Sequence, residues 1–257
     1  MAIGKVTLIG AGPGDPDLIT LKGVKVLQEA DVVLYDALVA ESLLDHAPAN
    51  CEKIFVGKRV GRHSAKQESI NDLIVKYAYE GKHVARLKGG DPYVFGRGHE
   101  EMEFAQIFGI ETDVVPGVSS AIAVPESENV PVTRRHFNES FWVLTGTTKS
   151  GELSKDIPLA AQSTATSIIL MGMRKLGEIV EVFSKYGKED TAVMVVQEGT
   201  TKNKKVAISR LATIHAEVQK KGISSPAIIV IGDVVELHPD FNYEYVVSSY
   251  QDVMYIN

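Results

Sequence analysis

The chain is poor in several features that would place it in common protein classes. Its 257 residues include one cysteine, Cys51. No internal disulfide or cysteine-based metal site can form, which fits a reducing compartment. It has no basic excess: the formal net charge is -6, which opposes a general nucleic-acid surface. No apolar run approaches the ~20 residues that cross a bilayer, so no membrane partner is expected. Met1-Ala2-Ile3-Gly4-Lys5 enters a strand without the charged and apolar regions of a signal peptide, and the expected location is cytoplasmic. Short repeats and low-complexity tracts are also missing. The remaining composition, 44% hydrophobic and 23% charged, is that of a globular protein able to bury its own core.

Strand-like and helix-like patterns alternate along the chain. Val6–Ile9, Asp31–Tyr35, Lys53–Val56, His83–Leu87 and Thr112–Val115 read as strands in the first half. Phe141–Leu144, Ser167–Leu170, Ala192–Val196 and Ala227–Ile231 read as strands in the second. Ile70, Leu73, Ile74, Tyr77 and Ala78 recur at helical spacing, as do Leu176, Ile179, Val180 and Phe183. Gly81, Gly109, Gly187 and Gly222 stand where helices should close. The expected fold is α/β: two αβα lobes with mixed sheets, residues 1–115 and 116–257, with a cleft between them. Lys202-Asn203-Lys204-Lys205 reads as a solvated loop before a strand.

The most informative stretch is Arg86-Leu87-Lys88-Gly89-Gly90-Asp91-Pro92-Tyr93-Val94-Phe95-Gly96-Arg97-Gly98. A strand ends there, and paired glycines let a ligand approach the main chain. Asp91 and Pro92 supply a carboxylate and a rigid corner. In α/β proteins small ligands sit outside the carboxyl ends of strands. Gly10-Ala11-Gly12-Pro13-Gly14-Asp15 invites a dinucleotide reading and then contradicts it. Asp15 occupies the place of the third glycine, and Pro13 removes an amide donor. A tight turn, or a ligand without phosphates, fits better.

These pieces together resemble the uroporphyrinogen-III C-methyltransferases of the tetrapyrrole methyltransferase family. The resemblance runs through residues 10–20, Ala30–Asp36, Val56–Arg59, Arg86–Gly98, Val115–Ala121, Met171–Met173, Gly199-Thr200 and Ser225–Ile229. It implies transfer of methyl groups from S-adenosyl-L-methionine to C2 and C7 of uroporphyrinogen III. Precorrin-2, a precursor of sirohaem and cobalamin, and S-adenosyl-L-homocysteine would be the products. It also implies a homodimer, with the cofactor held in the cleft between the lobes. By resemblance, Pro13, Gly89, Gly90, Asp91, Val94, Ser119, Ser120, Met171, Gly199 and Ala227 contact the cofactor, with Asp36 as proton acceptor and Lys58 as proton donor.

The substrate carries eight carboxylates, so an acidic protein must gather cations locally. Arg59, Arg62, His63, Arg97, Arg134 and Arg135 are candidates for that patch, and the resemblance adds Tyr93. Two departures stand out. After Val124-Pro125 the family usually shows Ala-Tyr-Ala-Gly-Ile-Pro-Val-Thr-His-Arg. This chain has Glu126-Ser127-Glu128-Asn129-Val130-Pro131-Val132-Thr133-Arg134-Arg135, and His99 replaces a usual glycine. If the loop borders the macrocycle, Glu126 and Glu128 oppose a polyanion. Two alternatives stay open: a methyltransferase for a later corrin precursor, and a weakly active protein that binds the cofactor or a tetrapyrrole.

Overall fold

The computed structural model describes residues 2–57 and 67–241. They divide into two compact units between Ser120 and Ala121.

In the first unit, β1 (Lys5–Gly10), β2 (Val32–Tyr35), β3 (Glu52–Phe55), β4 (His83–Lys88) and β5 (Glu111–Val115) form one sheet in the order β3-β2-β4-β1-β5. Every pairing is parallel. The first sheet is therefore purely parallel rather than mixed. Helical segments connect its strands and return each new strand in the same direction. The segments are α1 (Leu21–Gln28), a 3-10 turn (Glu41–His46), α2 (Gln67–Tyr79) and α3 (Gly98–Ile107).

Alternation decides which side chain faces which layer. Ile9, Val33, Ala85 and Leu87 pack beneath α1 and the 3-10 turn. Val6, Val32, Leu34 and Val84 pack on the opposite face, against Ile74 of α2 and Ala105 of α3. The connections leaving β1 and β4 run to opposite sides of the sheet. That opens a crevice at the carboxyl ends of these two neighbouring strands.

The second unit holds α4 (Ser120–Ser127), β6 (Phe141–Thr145), α5 (Ile157–Gln162), β7 (Thr166–Leu170), α6 (Leu176–Ser184), β8 (Ala192–Gln197), β9 (Lys205–Arg210), α7 (Leu211–Lys220) and β10 (Ala227–Ile231). Its sheet order is β6-β7-β10-β8-β9. Only β6 and β7 pair in parallel; the other three pairings are antiparallel. Helices α5, α6 and α7 cover one face through Ile157, Phe183 and Ile214. Helix α4 and a 3-10 turn, Asp233–Leu237, cover the other through Val124 and Val234. The glycines expected to close helices all take left-handed φ values, +80° at Gly81, +69° at Gly109, +72° at Gly187 and +59° at Gly222. Among the described residues, no helix is long and apolar enough to cross a membrane.

One buried titratable group in each unit links the fold to pH. His83 lies 2.9 Å from the Thr7 hydroxyl. Burial, then Lys5, pushes its pKa below the ordinary 6.5. His238 is lowered as well, chiefly by burial. Unfolded histidine takes up a proton near 6.5 while the folded group resists it. Stability therefore falls as pH drops from 6.5 toward the folded values. The urea midpoint is expected to fall between pH 7 and about 5.5, and to fall less in His83→Gln. An equal fall in that variant would remove His83 from the account.

Candidate functional site

At the carboxyl edge of the first sheet, the loops after β1, β4 and β5 meet through bare backbone. The Gly90 amide donates to the Gly12 carbonyl at 2.7 Å, and the Gly12 amide donates back at 3.3 Å. The Ala11 amide donates to the Lys88 carbonyl at 2.7 Å. A Cβ on Gly10 would stand 2.4 Å from Gly117 Cα, and one on Gly117 would stand 2.3 Å from the Gly90 carbonyl oxygen. Asp91 braces the arrangement. Its Oδ2 accepts from the Gly117 amide at 3.0 Å and its Oδ1 from the Tyr93 amide at 2.8 Å.

The paired glycines in this loop have different tasks. Gly90 has φ +68°, and a Cβ there would meet no protein atom within 4 Å. It borders open space. A Cβ on Gly89 would lie 2.6 Å from Leu38 Cβ, so Gly89 is small because the loop after β2 packs on it. Phe95 and Arg97 take φ +53° and +60°. Such conformations cost about 1–3 kcal/mol each in non-glycine residues and gather at functional sites. Leu38, Tyr93, Val94 and Phe95 are all exposed apolar side chains at this rim. Asp15, which spoiled the dinucleotide reading, accepts from the Asp17 amide at 3.0 Å and caps the 3-10 turn at Pro16–Leu18. Pro13 is half-buried in the same loop.

Beneath this edge lies a charged cluster that follows from strand parity. Arg86 and Lys88 share the face of Val84, and Asp36 shares that of Val32 and Leu34, with Leu34 in register with Arg86. All three therefore point toward α2 and α3. Arg86, Lys88 and Glu101 are 1%, 3% and 2% exposed. Arg86 Nη2 donates to Asp36 Oδ1 at 2.7 Å, and Arg86 Nη1 donates to the carbonyls of Leu34 at 3.2 Å and Leu87 at 3.1 Å. Glu101 Oε1 accepts from Lys88 Nζ at 3.0 Å and from Gln67 Nε2 at 3.0 Å. Arg86 Nε and Glu101 Oε2 face each other at 3.2 Å without hydrogen-bond alignment, a Coulombic contact. Lys88 Nζ stands 4.0 Å from Asp36 Oδ2. Burial, then Arg86, lowers the Lys88 pKa, and Glu101 and Asp36 oppose that shift. Two cations and two carboxylates balance, and only Asp36 reaches the surface, with 27% of its side chain exposed.

The carboxyl ends of β7 and β8 in the second unit bring together Met171, Ala227 and Gly199. Ala227 opens antiparallel β10 opposite Gln197, one residue before Glu198. Met171 is 53% exposed at φ +55°, so it is not core. Glu198 and Thr200 also take left-handed φ values, +48° and +65°. Gly199 is buried, and a Cβ there would strike Val124 Cγ1 at 2.4 Å; α4 requires its smallness. Thr145-Gly146-Thr147, not among the expected site residues, stands at the same rim. Thr147 Oγ1 donates to the Met171 carbonyl at 2.9 Å, and a Cβ on Gly146 would lie 2.4 Å from Gly172 Cα. A Thr-Gly-Thr run at the end of a strand is the available signal.

The remaining expected residues scatter. Lys58, Arg59, Arg62 and His63 lie outside the described residues. Ser119 and Ser120 follow Gly117 into the half-buried start of α4. Arg97 Nε donates to Glu100 at 2.9 Å, so its charge is already answered. Arg134 stacks over the Phe137 ring at 4.6 Å. Its amide donates to Asn138, whose side chain in turn donates to Thr166 at the start of β7. The structure therefore anchors the loop carrying Arg134 and exposed Arg135 at the opposite end of the second sheet from Met171. Glu128 does not oppose a polyanion: it is buried, 2.6 Å from Lys204 and 3.8 Å from His238. Lys204 is thus partly structural rather than merely solvated. Among the described residues, no group of three or more His, Cys, Asp or Glu could hold a metal.

Residues 5–215 match the family model described as Tetrapyrrole (Corrin/Porphyrin) Methylases. The chain belongs to that family. Among curated tetrapyrrole methylases, it is 47% identical over 236 residues to the uroporphyrinogen-III C-methyltransferase of Methanocaldococcus jannaschii, covering 91% of this chain and 98% of that one. It is 44% identical to a siroheme synthase of Actinobacillus pleuropneumoniae, covering 93% of this chain and 49% of that longer protein. Among solved structures, the Thermus thermophilus uroporphyrin-III C-methyltransferase complexed with S-adenosyl homocysteine superposes with a TM-score of 0.78. The two are 36% identical, with 91% of this chain and all of that one covered. A cobalt precorrin-4 methyltransferase gives 0.80 at 29% identity.

Proposed function

We propose that this tetrapyrrole methylase transfers methyl groups from S-adenosyl-L-methionine to uroporphyrinogen III, at C2 and C7, giving precorrin-2. The observation that carries this reading is the open space beside Gly90, where a Cβ would meet no protein atom within 4 Å, in a chain so similar to enzymes of that name. The residues present suit the cofactor. Gly90 admits a ligand against the main chain, and Asp91 fixes the loops around it. Met171 offers an exposed, polarizable surface of the kind adenine rings pack on.

When bound, the cofactor supplies an activated methyl on a cationic sulfur, so neither acid nor metal is required to expel the leaving group. The protein's task is alignment and exclusion of water. A proton must leave the macrocycle after methylation. Asp36, the exposed end of the buried cluster, is the proposed acceptor, with Lys58 as donor. The proposal keeps Pro13, Gly89, Val94, Ser119, Ser120, Gly199 and Ala227 as cofactor contacts, with Gly89 and Gly199 acting through the packing they permit. Tyr93, Arg59, Arg62 and His63 remain proposed for the substrate carboxylates, while Arg97 is already paired with Glu100 and Arg134 and Arg135 lie at the far end of the second sheet. The family resemblance extends the reading to a homodimer.

The test is anaerobic incubation of the purified protein with methyl-labelled cofactor and uroporphyrinogen III. Label is expected in a dimethylated product. Binding of S-adenosyl-L-homocysteine without product would leave only a binding protein. Glu128, which had favoured that weaker reading, is committed to Lys204. In the same preparation Gly90→Ala is expected to weaken S-adenosyl-L-homocysteine binding about tenfold by calorimetry, while the left-handed strain costs ~1–2 kcal/mol of stability. Unchanged affinity would count against close backbone approach.

A further inference from the structure

We propose that Glu101 is a positioning residue that acts on Asp36 through Arg86 and Lys88, holding the carboxylate at the sheet edge and cancelling the surplus positive charge behind it. The inference rests on the reading of Asp36 as proton acceptor.

Among the described residues, the cations within 4.0 Å of Asp36 are Arg86 and Lys88. Arg86 and Lys88 approach from β4, and Glu101 stands behind them on α3. From α2 comes neutral Gln67, which donates to Glu101. Without Glu101, Asp36 would confront two buried cations alone. Its negative charge would then be held too firmly for it to accept a proton readily. With Glu101 in place, the four groups sum to zero, and protonation of Asp36 leaves a single excess charge.

Glu101 also fixes geometry. Its two oxygens meet different cations, Oε2 at Arg86 Nε and Oε1 at Lys88 Nζ. Both cations are thereby set at the depth from which they reach Asp36. The lowered pKa of Lys88 shows how little solvent compensates this layer. The other buried residues of α3 are Gly98, Met102 and Ala105, so Glu101 alone on this helix answers the two buried cations of β4.

The test uses Glu101→Gln and Lys88→Met, which change the charge around Asp36 in opposite directions. Methyl transfer to uroporphyrinogen III is measured against pH. In Glu101→Gln, kcat is expected to fall about tenfold, within the range of general acid-base effects. The KM for the cofactor should stay within about twofold, since only the chemical step loses support. The acid limb of the rate profile should move to lower pH in Glu101→Gln and to higher pH in Lys88→Met. Glu101→Asp should restore the wild-type limb even where stability remains reduced. A purely structural role would lower stability in every variant and leave the limb in place.

A selective carbon-13 label in the Asp36 carboxyl provides a readout independent of turnover. Its titration should follow the same two directions. If the signal moves so in a protein that never methylates uroporphyrinogen III, the charge arrangement stands and the assigned activity falls. If the protein methylates but both limb and signal are unmoved in the two variants, the proposal is overturned.

Discussion

Replacing Arg86 with methionine is expected to destabilise the protein by about 3–5 kcal/mol, the range for removing one partner of a buried ion pair. The side chain is almost wholly buried and is the only described group bonded to Asp36, Glu101 and the carbonyls of Leu34 and Leu87 together. Methionine fills much of the volume but returns none of the donors. Two carboxylates would then share one ammonium, and two carbonyls would lose a partner where water does not reach. Denaturant unfolding measures the loss. A second substitution gives a sharper check. Arg86→Met with Glu101→Gln restores charge balance, so the double variant should be more stable than the sum of the single losses by about 0.5–3 kcal/mol. A single-variant loss below about 1 kcal/mol would mean that the cluster behaves like a solvated surface pair.

Gly117→Ala is expected to damage the cofactor hollow more than any substitution at its visible rim. The added methyl would sit 2.3 Å from the Gly90 carbonyl oxygen and 2.6 Å from Gly10 Cα. These are main-chain atoms, so no rotamer change relieves the clash; one loop must move. Overpacking of this kind costs about 1–3 kcal/mol. Movement of Gly117 would also stretch its hydrogen bond to Asp91, which carries the neighbouring loop. Affinity for S-adenosyl-L-homocysteine should fall about 100-fold, roughly 2.8 kcal/mol. Gly109→Ala is the control. Its φ of +69° is left-handed, unlike that of Gly117, and no atom lies within 4 Å of the new Cβ. It should cost ~1–2 kcal/mol of stability and leave ligand affinity alone. Equal affinity losses in the two variants would assign the effect to general instability.

The comparison of these glycines shows where the sequence stops being legible. Strands and helix-closing glycines could be read because alternation and left-handed caps are local properties. Whether a bare Cα serves a ligand or a neighbour is not local. Gly89 answers to Leu38 and Gly199 to Val124, while Gly90 alone of these three borders open space. Glu128 was read as an anion beside a polyanion because Lys204 lies 76 residues away. Arg134 and Arg135 shared a motif loop in the sequence, yet Asn138 ties that loop to the far end of its sheet. The buried cluster was more accessible. Val84, Arg86 and Lys88 alternate in one continuous strand, and two cations on a covered face require carboxylates opposite them. A strand read only to Leu87 leaves Lys88 in the glycine loop and conceals that parity.

The reciprocal amide bonds between Gly12 and Gly90 also bear on how a small molecule enters. Two loops that share main-chain pairing cannot swing apart singly, so neither acts as a flap for the other. Their disorder is removed when the chain folds, before any encounter with ligand. An incoming molecule thus meets a preorganised seat, and its binding free energy is not diminished by freezing those segments. Association should accordingly proceed in one kinetic phase on this side of the protein, without a slow loop-closing step.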